Sequence, residues 1–147
     1  MNYTIEQVLE EWKQDAPYTE LSLQKDLYTT PNLHAKYLGA FVYFKAKKDA
    51  AEKKYNLMLW KKRKYWRGEM EKHELEQHGW SQWQGLKPSG SELNFLIDAD
   101  RDLNDLRQNM ESYKTSVLAL EYIMKQISQR DWGMKNIIEY QKWIAGN

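Results

Sequence analysis

Apolar positions along this chain recur three and four residues apart, the spacing of helices, and nowhere alternate over a length that suits a strand. The first series is Ile5, Val8, Leu9 and Trp12. It follows Thr4-Ile5-Glu6-Gln7, a capping box in which the Thr4 hydroxyl accepts from the Gln7 amide. A short amphipathic helix is predicted to about Asp15, stopping before Pro17 because the residue ahead of a proline disfavours helical backbone. Tyr18 to Tyr28 is mixed and suits a second short helix. Thr30-Pro31 reads as a start signal, a hydroxyl at the cap and a proline at the first helical position, where its missing N–H costs nothing. Only Gly39 interrupts from there to Gly68, a C-terminal cap, so one helix of about 36 residues and roughly 54 Å is predicted.

The apolar stripe of that helix runs Tyr37, Phe41, Phe44, Lys48, Ala51, Tyr55, Met58, Lys62, Tyr65. Lysine holds two of its positions, so the seam weakens toward the C-terminal half. A helix anchored by its first half and projecting a basic second half toward a partner is the expectation. Glu69 to His78 suits a short helix closed by Gly79, and Gly79 to Ser91, with Trp80, Trp83, Gly85, Pro88 and Gly90, reads as loop. Asp98 then caps a last segment whose seam, Leu103, Leu106, Met110, Tyr113, Val117, Leu120, Met124 and Ile127, keeps a heptad without a miss. Asp131 breaks that register and Gly133 offers a place for a kink, before Met134, Ile137, Ile138, Tyr140, Trp143 and Ile144 continue an apolar surface.

The fold class expected is all-α, two long helices with short N-terminal and linker helices. Residues 1–147 form a single helical domain in this reading: 4–67 carry the N-terminal helices with a basic stretch over 45–67, 68–97 a short helix and loop, and 98–145 a coiled-coil-like assembly helix. Its eight seam residues are the candidates for holding subunits together. Charged residues make up 29% and aromatics 14% of the chain, and mean hydropathy is −0.88. Such a chain is too aromatic for disorder and buries its rings in long helical contacts or between subunits. There is no cysteine, which excludes disulfides and thiolate metal sites. No leader or membrane span is legible, and a protein that stays where it is made is expected.

Charge changes the picture. From Lys45 to Arg67 ten cations stand against Asp49 and Glu52, a net +8, while the whole chain is only +1 and the remainder therefore −7. The block Lys61-Lys62-Arg63-Lys64-Tyr65-Trp66-Arg67 interleaves cations with rings, the chemistry of a polyanion with stackable bases. Lys47, Lys54 and Lys61 repeat every seven residues on one stripe, with Trp60, Lys64 and Arg67 on another. The candidate contacts to single-stranded DNA are Lys47, Lys53, Lys54, Trp60, Lys61, Lys62, Arg63, Lys64, Tyr65, Trp66 and Arg67. A scaffold that uses the same lysines for an acidic protein partner is the alternative.

Other chemistry is weaker. His73 and His78 are five apart, about 140° around a helix, so they cannot share a zinc ion as an i, i+4 pair does. Asp98, Asp100 and Asp102 open like a calcium loop, but Leu103 and Asn109 stand where glycine and glutamate are needed. Acids complementing a helix dipole explain them better. No nucleotide-binding or nucleophile motif is present. No enzymatic activity, metal or cofactor is expected.

The N-terminal Leu9-Glu10-Glu11-Trp12-Lys13-Gln14-Asp15, the Thr30-Pro31-Asn32-Leu33-His34-Ala35-Lys36-Tyr37-Leu38 block, the basic Tyr-Trp-Arg-Gly ending and Trp143-Ile144-Ala145-Gly146-Asn147 together resemble the UvsY family of recombination mediators from T-even-like phages, most of all its cyanophage members. The resemblance covers nearly the whole chain. It implies a non-catalytic homo-oligomer, a hexameric or heptameric ring, that binds single-stranded DNA in the cytoplasm of the infected host. It also implies two protein partners, a RecA-like recombinase and a single-strand-binding protein, with the recombinase loaded onto covered strand during recombination, repair and replication. The family's DNA-contact motif, Leu-Lys-Ala-Arg ahead of paired aromatics and a glycine, falls on Leu59-Trp60-Lys61-Lys62, with Tyr65, Trp66 and Gly68 matching. Trp60 thus replaces a lysine and Lys62 an arginine.

Overall fold

The computed structural model describes residues 3–146. They form five helices, α1 (Ile5–Asp15), α2 (Leu23–Trp66), α3 (Lys72–His78), α4 (Gly90–Ala99) and α5 (Arg101–Gly146), and among the described residues there is no strand. The fold is all-α, as the periodicity requires. Contacts divide it into two compact units: one holds the chain up to Ala46 and from Lys114 onward, the other Lys47–Tyr113. Each long helix gives one end to each unit.

In the first unit the Thr4 capping box is formed: the Gln7 N–H donates to Thr4 Oγ1 at 3.3 Å and the Thr4 N–H to Gln7 Oε1 at 3.0 Å. The second helix starts earlier than expected. Thr19 and Ser22 close a turn, with the Thr19 N–H on Ser22 Oγ at 2.8 Å, and the Asp26 N–H then bonds the Ser22 carbonyl at 2.8 Å. Pro31 therefore lies inside α2 and not at its first position. The hydroxyls of Thr29 and Thr30 donate to the Asp26 carbonyl at 3.1 and 3.0 Å, so both fold back onto the helix and neither caps a new one.

Tyr37 is fully buried, its ring edge-on to Trp12 with centroids 5.4 Å apart and its hydroxyl donating to Asp15 at 2.8 Å. Lys36 reaches the same carboxylate at 2.7 Å. Arg130 of α5 donates to the Ala16 carbonyl at 2.8 Å, approaches Asp26 at 3.6 Å and lies over the Tyr18 ring. One guanidinium thus ties the end of α1 and the start of α2 to α5. The last helix runs on through Asp131 and Gly133. A Cβ at Gly133 would come within 3.3 Å of the Tyr18 hydroxyl, so this glycine serves close packing.

In the second unit the core gathers Trp66, Ile97 and Leu103, with Tyr55, Met58, Leu59, Tyr65, Trp83, Leu93 and Leu96 packed against it. Gly68, at φ +71°, ends α2 with paired bonds from the Gly68 N–H to the Tyr65 carbonyl and from the Glu69 N–H to the Lys64 carbonyl. Gly79 ends α3 in the same way, on Glu76 and Leu75. Helix α3 starts at Lys72 and not at Glu69. The stretch expected to be loop up to Ser91 ends sooner, because Ser89 and Glu92 form a second capping box and start α4 at Gly90. The cap of the last helix is likewise Asp100, whose carboxylate accepts from the Leu103 N–H at 2.9 Å, and not Asp98.

Leu103, Met110, Val117, Leu120 and Ile127 are buried, and Leu106, Tyr113 and Met124 half-buried, within one chain. The heptad seam is thus the interior of each unit. On α5, large side chains left in water are Leu118, Tyr122, Trp132, Tyr140, Trp143 and Ile144. Among the described residues no helix is long and apolar enough to cross a membrane.

Candidate nucleic-acid interface

The basic half of α2, from Lys47, belongs to the second unit, and its rotation sorts the candidate residues into two faces. Residues seven, four and three apart fall on one side of a helix, so Lys53, Trp60, Lys64 and Arg67 share a stripe, with Leu57 and Arg63 beside it. Trp60 is 60% exposed in the middle of that face. Lys53, Lys54, Arg63 and Arg67 are exposed around it and Lys61 is half-exposed at its edge. Lys47 is exposed at the start of this segment.

The opposite face turns inward, and the apolar stripe explains why. Lys62 occupies a stripe position and is only 7% exposed. Its ammonium lies 3.1 Å from Asp100 Oδ1 and 3.0 Å from Asp102 Oδ2, and 4.3 Å from the centroid of the Trp80 ring. Two carboxylates and a π-face satisfy a cation that burial would otherwise make costly. Trp66 is buried in the core of the unit, and Tyr65 is half-buried, packed near Trp80 and Trp83 with its hydroxyl donating to the Ser81 carbonyl at 2.5 Å. The structure therefore places Lys62 and Trp66 in the interior, apart from the exposed cations. The acids read as helix-dipole complements have a second role that spacing did not show, since Asp100 and Asp102 converge on Lys62 across the unit.

Lys64 is intermediate. Its ammonium sits 5.4 Å from the Trp60 ring centroid and pairs with both oxygens of Glu74 on α3, at 3.0 and 3.2 Å. The Lys64 hydrogen bond holds the Glu74 carboxyl below the ordinary carboxylate value. The histidines diverge as their spacing requires: His73 Nδ1 is 3.3 Å from exposed Glu71, while His78 stacks on Trp80 at 4.4 Å. Glu71, His73 and Glu74 offer ligand atoms within 4.8 Å of one another, but at the protein surface, with Glu74 already held by Lys64.

An exposed indole with cations around it, on a helix that turns Lys62 inward onto two carboxylates, can neutralise phosphates and stack a base at the same place. The sequence profile described as "Recombination, repair and ssDNA binding protein UvsY" matches residues 11–147. The chain belongs to the UvsY family. Members of the UvsY family are non-enzymatic mediators of recombination and repair that bind single-stranded DNA. Three crystal forms of the bacteriophage T4 recombination mediator protein UvsY share the fold. One superimposes with a TM-score of 0.85 at 17% identity over 98% of this chain and 99% of that one. The other two give 0.77 at 16% identity, over 96% and 93% of this chain and 98% of theirs. No curated protein sequence matches.

Proposed function

We propose that this UvsY-family chain holds single-stranded DNA along the exposed face of α2 between Lys47 and Arg67, with Trp60 as the stacking platform. Lys53, Lys54, Lys61, Arg63 and Arg67 neutralise the backbone beside it. The observation that carries this is the sorting of cations: Lys62 is spent on Asp100 and Asp102, whereas the cations around Trp60 face water. By holding strand in this way the protein promotes loading of a RecA-like recombinase onto DNA covered by a single-strand-binding protein. It does so in the cytoplasm of the infected bacterium, as a phage protein of the cyanophage branch.

One subunit offers a short track, and a homo-oligomeric ring of six or seven would repeat it. Contacts after the first are then effectively intramolecular, so weak, salt-sensitive tracks add up. Support for assembly comes from the exposed Trp132, Tyr140, Trp143 and Ile144 of α5, an apolar surface a monomer rarely leaves in water. Filter binding of labelled oligo(dT) tests the reading. Retention at low salt, with log affinity falling linearly against log salt, is expected. No retention would favour an adaptor for an acidic protein instead.

A further inference from the structure

We infer that Glu74 is a resident stand-in for a DNA phosphate: it occupies Lys64, beside the stacking platform, and must be displaced before that lysine can take part in strand binding. The inference rests on the reading of the Trp60 face as the single-strand site. Both Glu74 oxygens lie within 3.2 Å of the Lys64 ammonium, and the same ammonium is 5.4 Å from the Trp60 ring. A phosphate following a base stacked on Trp60 would seek that cation and would meet a carboxylate already there. The two side chains are only about a quarter exposed, enough to be reached from solvent and enough shielded for the pair to hold.

Glu74 lies in the first turn of α3, and both oxygens of its carboxylate are turned toward α2, onto the Lys64 ammonium. Lys62 differs: its two carboxylates are needed to bury it, and no exchange with phosphate follows from its place. The Lys64–Glu74 pair is thus the exchangeable one, and it weakens each subunit's grip so that strand is released as readily as it is taken.

The test is Glu74→Gln, because glutamine keeps the size and shape of the side chain while removing the charge that holds Lys64. Oligo(dT) affinity of the full chain at low salt should rise by about three- to tenfold, and the slope of log affinity against log salt should steepen by about 0.7 for each additional lysine engaged per subunit. Lys64→Gln alone should weaken binding less than about twofold, yet erase the gain when combined with Glu74→Gln. Unchanged or weaker binding by a folded Glu74→Gln chain overturns the inference. Should that variant not fold, a tenfold loss from Lys64→Gln alone overturns it. Failure of the Trp60 site itself reads out separately, as indifference of affinity to Trp60→Ala.

Discussion

Trp60 and Lys62 are neighbours in sequence and lie about 200° apart around α2, and their fates differ accordingly. Trp60→Ala should leave folding stability within about 0.5 kcal/mol of the parent, since an exposed side chain has little packing to lose. Lys62→Met should cost about 3 kcal/mol, because the largely shielded Asp100 carboxylate then loses its cation. Urea unfolding followed by helical circular dichroism distinguishes the two, and equal stabilities would refute the burial assignment. The cluster Lys61 to Lys64 was legible from composition, but the stripe position of Lys62 was the only hint that it points inward. Its acidic partners lie beyond two helices and a loop, where spacing carries no information. Asp15 and Tyr37 supply a second residue-scale expectation. Burial alone would raise Asp15, yet hydrogen bonds from Lys36 and Tyr37 and the charges of Lys36 and Arg130 hold it below the usual value. Burial and then the Asp15 hydrogen bond push Tyr37 up. The Asp15 contribution is therefore present above about pH 4 and lost as pH falls through its lowered folded value, whereas that of Tyr37 is present below about pH 10 and lost on alkaline titration. Tyr37→Phe should cost about 1.5–3 kcal/mol near neutrality and move acid unfolding to higher pH.

At the scale of elements, the capping box of α1, the glycine stops of α2 and α3 and the period of the stripes were readable because each is a local rule. The start of α2 was not: Thr30-Pro31 has the form of a cap, but Ser22 begins the helix eight residues earlier and tertiary contacts carry it through Pro31. The capping box at Ser89 lay hidden in a stretch whose glycines and proline suggested only loop. Two glycines make the same point as predictions. Gly39→Ala, in the interior of α2 with nothing within 4 Å of the added Cβ, should stabilise the chain by about 0.5–1 kcal/mol. Gly68→Ala, at φ +71°, should destabilise it by about 1–2 kcal/mol. Thermal melts with the opposite order of midpoints would contradict these assignments. The heptad of α5 correctly announced a long packed helix, but a heptad does not say whether its partner is another chain or the same one. Leu120 is fully buried in one chain, so Leu120→Asn should cost at least about 3 kcal/mol of the subunit's own stability. Loss of assembly with an intact fold would show instead that Leu120 faces another subunit.

For the whole molecule, a net charge of +1 conceals a division of labour. The acids at Glu74, Asp100 and Asp102 pair with two cations of the basic segment, while Lys53, Lys61, Arg63 and Arg67 lie around one exposed indole. On the proposed reading, that arrangement makes a generic basic-aromatic run a place for a strand, in a chain whose family binds single-stranded DNA. Family and all-α class were both legible from sequence. Which side chains of the run face a strand was not, because that depends on what α3, the following loop and α5 bring to the inner face. The most direct test is the equilibrium affinity of Trp60→Ala for a fluorescently labelled oligo(dT) at low salt, read by anisotropy beside the parent chain. Loss of one stacked base predicts a weakening of about 1–3 kcal/mol, roughly five- to 150-fold, with an unchanged melting curve. A folded variant that binds within about twofold of the parent would contradict the assignment of this face as the single-strand site.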